Sequence, residues 1–480
     1  MAVVNGIERW SHGRAGLPVR GVMAFSAAMA VTLAIASLHG QQEIPPAPAP
    51  TATAPASSPA PTAPRASSTV KERFLVDHFP DQPSLPPAIS IPLAPLDFTP
   101  PGSIYLGARN SMVSLDFLDE NRLLLTFRVP GLLHRDELKT EDSDERQIRA
   151  VVLSLPIGTA EAEATWTVHD RVRYLWPLNN GHFLFRDRNN LFEGDATLTL
   201  KPYLDFPGSL LSIELDPEQH FLVTNSHEPA ATHVKNGDGV GSADTPSLSG
   251  TTGASNATTS DQDPAAGSDA PDLVIRILRR DSGDVMLVSR SRTAAHLPIN
   301  SAGYLENLRS NGTQWILNLN YFTGGSRMLG RVESTCEPDD QFLSDQEILS
   351  TTCGPSGESI LVAMTTAGKT LWMTKAPLTE VWPQMVVAAN GSRLAWETLD
   401  TTHAIYAYAP LDAADVREQS VTIFDASDGD IPLVSPVSPI LDAGGNVALS
   451  PSGRRVALLN AGAIQIFNLP AAPQMSGVAP

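Results

Sequence analysis

The strongest constraint in this chain is an internal repetition of turn, apolar run, turn and alternating run. Near its end, Leu449-Ser450-Pro451-Ser452-Gly453 leads into Arg454-Arg455-Val456-Ala457-Leu458-Leu459. The pattern breaks at Asn460-Ala461-Gly462 and resumes as Ala463-Ile464-Gln465-Ile466-Phe467. Pro-x-Gly makes a tight turn, the apolar run a buried strand, and the alternation a strand with one face covered. A second copy runs from Pro355-Ser356-Gly357 into Ser359-Ile360-Leu361-Val362, and a third from Asp216-Pro217 into Phe221-Leu222-Val223, with Gln219 where glycine is expected. Ile275-Arg276-Ile277, Gly283-Asp284 and Val285-Met286-Leu287-Val288-Ser289 align without a gap to Val421-Thr422-Ile423, Gly429-Asp430 and Ile431-Pro432-Leu433-Val434-Ser435. Phe117-Leu118-Asp119-Glu120-Asn121 likewise matches Phe342-Leu343-Ser344-Asp345-Gln346. Such units hide their apolar faces by stacking on one another. Gly 34 and Pro 40 among 480 residues suit turns and short strands, and 42% hydrophobic residues supply a large core.

These residues resemble a β-propeller of the broad WD-repeat and YVTN-type superfamily. The resemblance covers roughly residues 103 to 470 and is best in the last repeat. Phe424-Asp425 and Phe467-Asn468 stand where the family carries Trp-Asp. No Trp-Asp pair occurs, and the only Gly-His pair, Gly181-His182, opens a second strand instead of preceding a first. The resemblance implies an all-β fold, a single seven-bladed propeller, with blades centred on 112–169, 172–202, 208–290, 299–333, 340–373, 382–435 and 445–469. The fourth lacks a recognisable outer strand. The last lacks one too, and 93–107 is expected to supply it from the other end of the fold, since an open edge invites intermolecular pairing.

Arg9, Arg14 and Arg20 precede an apolar stretch at 21–38, with Ala34-Ile35-Ala36 as a small-x-small cleavage signal. Residues 1–40 are therefore expected to be a signal peptide or an uncleaved N-terminal membrane anchor, and both place the rest of the chain outside the cytoplasm, in the periplasm or beyond. Residues 41–90 open on a Pro/Ala/Ser/Thr tract and are expected to be a disordered linker that holds the domain clear of a membrane or wall; a proline-recognition ligand is the rival reading. The propeller is assigned to 91–470, a disordered insertion to 227–272 and a disordered tail to 471–480. Insertions at 134–146, 227–272 and 401–419 each join a second to a third strand, which would place all three on one face of the ring.

Lys+Arg 33 against Asp+Glu 52 gives a net charge of −19, and no basic run appears, so nucleic acid is excluded as a partner. Gly354-Pro355-Ser356-Gly357 is not a nucleophile elbow, because glycine follows serine at once. Asp425-Ala426-Ser427-Asp428-Gly429-Asp430 fails the spacing of a calcium loop, and the glycines at 237–241 follow no strand. The eleven histidines include no HExxH and no i, i+4 pair. Asp116, Glu214 and Glu306 lie near presumed inner strands, as solvated channel residues or as ligands gathered from several blades. No catalytic, cofactor-binding or metal-ligating residue is assigned, and no cofactor. Cys336 and Cys353 flank a presumed strand pair, and in an exported protein they are expected to form a disulfide, with two buried thiols as the alternative. Trp166, Trp176, Trp315, Trp372, Trp382 and Trp396 are expected between blades.

The resulting functional expectation is a non-enzymatic, monomeric binding or interaction scaffold whose partner is a protein, peptide or glycan, with a membrane tether through 21–38 if the signal is retained. The alternative is a propeller enzyme, a lactonase-like hydrolase or a quinone-dependent oxidoreductase, with its site at the central channel.

Overall fold

In the computed structural model, the described residues are 71–74, 85–103, 106–107, 110, 112–130, 145–169, 172–228, 272–291, 296–376, 380–405 and 411–472. The signal or anchor segment at 1–40, the Pro/Ala tract, most of the insertions at 134–146 and 227–272, residues 406–410 of the third and the end of the tail lie outside them. Two strands precede the ring in sequence, β1 (Lys71–Phe74) and β2 (Ile89–Pro92). Blade one is β3 (Val113–Asp119), β4 (Arg122–Arg128), β5 (Arg146–Ser154) and β6 (Thr159–Val168). Blade two is β7 (Leu175–Pro177), β8 (His182–Asp187), β9 (Asn190–Asp195) and β10 (Leu200–Asp205). Blade three is β11 (Ser209–Leu215), β12 (Phe221–Glu228), β13 (Asp272–Arg279) and β14 (Val285–Ser291). Blade four holds β15 (Gly303–Asn311), β16 (Gln314–Tyr321) and β17 (Ser326–Glu333). Blade five is β18 (Asp339–Ser344), β19 (Glu347–Cys353), β20 (Ser359–Thr365) and β21 (Thr370–Ala376). Blade six is β22 (Glu380–Val387), β23 (Arg393–Thr401), β24 (Val416–Asp425) and β25 (Leu433–Pro436). Blade seven is β26 (Val447–Leu449), β27 (Arg455–Asn460) and β28 (Ala463–Asn468). Strand order follows chain order within each blade, and β3 touches both β7 and β26, so first strands line the centre of a seven-bladed propeller.

The apolar runs become middle strands because these are covered on both faces. Alternate residues of one strand serve opposite neighbours: Leu123 and Leu125 of β4 pack toward blade seven, and Leu124 toward blade two. In β27, Ala457 and Leu459 face blade one while Val456 and Leu458 face blade six. Among the described residues, buried apolar side chains form seven clusters, one in each gap between adjacent blades, including the gap between seven and one.

That last gap is closed by β2, which pairs antiparallel with β28, Ile89 opposite Ile466 and Ile91 opposite Ile464. The closing strand is thus Ile89–Pro92, and the expected 93–107 is not it; Ala94–Leu96 is a single 3-10 turn. The alternation of Ile89, Ser90 and Ile91 carries the pairing, and Pro92 is tolerated because it ends an outer strand. The stretch assigned to a linker at 41–90 therefore contributes two strands, since β1 adds parallel to β21 on the outside of blade five. The insertion assigned to 227–272 starts after Glu228, because β12 and β13 run on and pair Glu228 with Asp272.

Blade four supplies the second difference. Inside β15 lies a short extended segment, held by the bridge between Ile299 and Tyr304 and by Leu305 N–H donating to the Pro298 carbonyl at 2.8 Å. The turn at 300–303 sits where other blades have the turn after their first strand. Ser301 N–H donates to Asp345 Oδ1 at 3.1 Å, as Ser452 N–H of blade seven donates to Glu120 Oε1 at 2.7 Å. Glu120 and Asp345 are equivalent positions in the repeated Phe-Leu segment, so the two turns are equivalent as well. β15 is therefore second in its blade and β17 outermost; the abbreviated element is the inner one, at 296–299.

Two repeats read differently in three dimensions. The Ile275 and Val421 copies are true equivalents, since both are third strands whose following turns place Gly283 and Gly429 at φ 72° and 70°. The Pro-Ser-Gly copies are not, because 451–453 follows a first strand while 355–357 joins β19 to β20, second to third. At Gln219 the backbone is left-handed (φ 62°), and the side chain offsets the missing glycine. Its Oε1 accepts from Asn179 N–H at 2.6 Å, tying the inner turns of blades two and three together.

Candidate functional site

The abbreviated inner strand of blade four brings its neighbours' side chains together. His296 opens that segment, and its Nδ1 lies 2.8 Å from Glu214 Oε1 of β11, an ion pair in contact but not aligned as a hydrogen bond. On the other side, Nε2 donates to the Asp340 carbonyl at 2.5 Å and lies 3.5 Å from Asp339 Oδ1. Three blades thus meet at one imidazole. Burial opposes its charge, but Glu214, Asp339 and the Asp340 carbonyl outweigh that and push the pKa up to about 10.

A cavity of about 50 Å³ adjoins the cluster, lined by Glu214, His296, Asp339 and Asp340 on its polar side and by Leu215, Pro298, Phe342 and Met385 on its apolar side. Asp340 is 1% exposed, and neither of its carboxylate oxygens receives an aligned hydrogen bond. Burial raises its pKa to about 6, with Ser350, Asn307 and His296 pulling it down and Asp339 pushing it up. Glu214 Oε2 is also buried without a hydrogen bond.

Three further acids are engaged differently. Asp116 on β3 is buried and accepts from the Ser114 hydroxyl; desolvation raises its pKa against the pull of Arg173 and Ser114. Glu306 lies on β15, hence on a second strand and not an inner one, and accepts from Asn320 Nδ2 at 3.0 Å. The structure thus joins Glu214 to His296 but brings neither Asp116 nor Glu306 to that cluster. Glu397, on β23, accepts from Gln419 Nε2 at 2.6 Å, and full burial pushes its pKa to about 8.

The remaining sequence features have structural roles. Cys336 and Cys353 form a disulfide that ties the connection before blade five to the end of β19. The 425–430 turn is a hairpin in which Gly429 N–H donates to the Asp425 carbonyl at 2.8 Å. Asp425 itself receives Arg393 Nε at 2.7 Å, and Arg393, fully buried, also donates to the Gly453 and Pro470 carbonyls. Trp372 stacks on Phe424 across the gap between blades five and six and donates to the Ala426 carbonyl at 2.6 Å. Serine at 356 stays in a tight turn whose N–H donates to Glu358. Among the described residues, no three His, Cys, Asp or Glu side chains are arranged to hold a metal ion.

His296, Asp339, Asp340 and Glu397 were not singled out from sequence. A pair of acids at the head of an apolar strand, Asp339-Asp340 before Gln341-Phe342, was the available signal. His296 had none, since its segment makes a single bridge and carries no alternation.

No protein-family model matches the sequence, and no curated protein matches it. Solved structures are similar in fold. Pyrococcus horikoshii acylaminoacyl peptidase aligns at 11% identity with a TM-score of 0.42, over 75% of this chain and 51% of that one. The β-propeller domain of the Trilobed protease from Pyrococcus furiosus aligns at 8% identity with a TM-score of 0.41, over 76% of this chain and 100% of that one. A Mycobacterium tuberculosis puromycin-hydrolyzing peptidase aligns at 11% identity with a TM-score of 0.40, over 82% and 58%. The chain spans about half the length of the acylaminoacyl peptidases it matches.

Proposed function

We propose that this protein is an exported binding or interaction scaffold for a protein, peptide or glycan, with the inner ring between blades three and five as its recognition site. The observation that carries the reading is the state of His296. Both ring nitrogens face acceptors, and the pKa near 10 keeps the imidazole protonated at neutral pH. A histidine so held supplies fixed charge and a rigid wall; it has no free lone pair with which to take a proton at pH 7.

A second reading rests on Asp340. A carboxyl with a pKa near 6 lining a cavity also suits a general base, in a hydrolase or an oxidoreductase. The two separate in one comparison, in which the purified full chain and Asp340→Asn are assayed against ester, lactone and sugar-alcohol substrates, and against peptide and glycan arrays. Saturable binding without turnover supports the scaffold. Turnover lost in Asp340→Asn would establish the enzyme.

A further inference from the structure

We propose that the cavity between blades three, four and five receives a primary alkylammonium group, of the kind a lysine side chain presents. This deepens the binding reading above and rests on it. Three acceptor atoms of the cavity's lining residues, both carboxylate oxygens of Asp340 and Oε2 of Glu214, are buried without an aligned hydrogen bond, with the side chains of Ser350 and Asn307 beside Asp340. An ammonium group offers three N–H donors on one compact centre and needs no acceptor in return. Around His296 stand three carboxylates, Glu214, Asp339 and Asp340, so the cluster keeps a negative excess that the single imidazolium does not neutralise.

Size and wall chemistry narrow the ligand. At roughly 10–15 Å³ for each water-sized occupant, about 50 Å³ holds an ammonium and two or three methylenes. Leu215, Pro298, Phe342 and Met385 give those methylenes an apolar wall. A planar guanidinium is wider and needs its acceptors in a fork, whereas a quaternary ammonium has no N–H to satisfy the carboxylates. A divalent cation requires ligands converging on one point, an arrangement not found among the described residues.

The test is calorimetric titration of the full chain with Nα-acetyl-lysine methylamide, butylamine, Nε-acetylated lysine amide, 1-pentanol and calcium or zinc chloride. The lysine amide and butylamine should bind saturably, and the acetylated and alcohol analogues at least tenfold more weakly. Tighter binding of the lysine amide points to a peptide as the source of the group; tighter binding of butylamine points to a free amine. Asp340→Asn should weaken the amine tenfold or more. Should that variant fail to fold, pH supplies the second measurement. The groups facing Asp340 are Asp339, His296, Ser350 and Asn307, and the amine stays charged throughout, so affinity for the wild-type chain should fall as pH drops through about 6. Equal binding of the neutral analogues, or binding of the metal in place of the amine, overturns the assignment while leaving the scaffold reading standing. Asp340-dependent turnover in the assays above removes both.

Discussion

Two regions of the ring differ in how they are held. The gap between blades seven and one, where the two ends of the propeller meet, is lined among the described residues by nineteen buried apolar side chains. Among the described residues the gap between blades three and four has six, and beside it the inner strand shrinks to a single bridge where His296 meets Glu214 and Asp339. The first gap must offset the entropy of joining distant segments, and it does so with packing. The second gives up apolar contact for a polar cluster that packing does not require. Departures from internal consistency of this kind concentrate where a protein binds or reacts.

The largest expected effect breaks the first region. Removing Ile89–Pro92 takes Ile91 out of the closing gap and leaves the outer edge of β28 unpaired. A shift to larger assemblies relative to the full chain is expected by size-exclusion chromatography, since an exposed edge templates association. Next comes Trp372→Ala, which empties the stack on Phe424 and should cost about 3–5 kcal/mol in denaturant unfolding. A loss below 1 kcal/mol would mean that the gap between blades five and six is not held by its aromatics.

The remaining tests sharpen the polar side. Reducing the Cys336–Cys353 disulfide, which closes a separation of 17 residues in blade five, should cost about 3 kcal/mol. His296→Gln should cost about 2 kcal/mol at pH 6, less than a wholly buried pair because the ring is partly exposed. Its folded pKa lies above the unfolded value, so the stabilisation is complete below about 6.5 and is lost as pH rises through about 10. The stability difference between wild type and variant should therefore shrink across that window; a difference independent of pH would show that His296 acts by shape alone.

How much of this was legible in the sequence follows the same division. Val456–Leu459 and Leu123–Leu125 announce strands covered on both faces, because apolar runs bounded by turns have few other folds open to them. The Ile275 and Val421 repeats kept their register in space since each is a third strand followed by the same glycine turn. The closing strand was misplaced by a few residues because prolines surround Ile89 and Ile91 and mask a short alternation. Of the His296 cluster only Glu214 was legible, as an acid near a presumed inner strand. Glu214, His296 and Asp340 are far apart in sequence, and only the shortened inner strand of blade four lets blades three and five meet across it. Pro-Ser-Gly misled for the opposite reason, as one turn chemistry serves two different positions in a blade.

The smallest effect tests whether the two N-terminal strands are alike. β1 pairs parallel with β21 over Lys71↔Trp372 to Phe74↔Lys375, on a blade that already has its four strands. Each backbone hydrogen bond contributes about 1 kcal/mol, and ordering each residue costs about 1–2, so four residues on a finished edge come out near zero. β2 escapes that balance because Ile91 is buried in the closing gap, 4% exposed. Deleting Lys71–Phe74 should therefore change unfolding by less than about 1 kcal/mol and leave the protein soluble. Its trace should appear elsewhere, as concentration-dependent self-association in sedimentation velocity, because β21 then presents an open edge. A stability loss matching that of the β2 deletion would mean that blade five is completed by its fifth strand, and that the ring is fastened at two points.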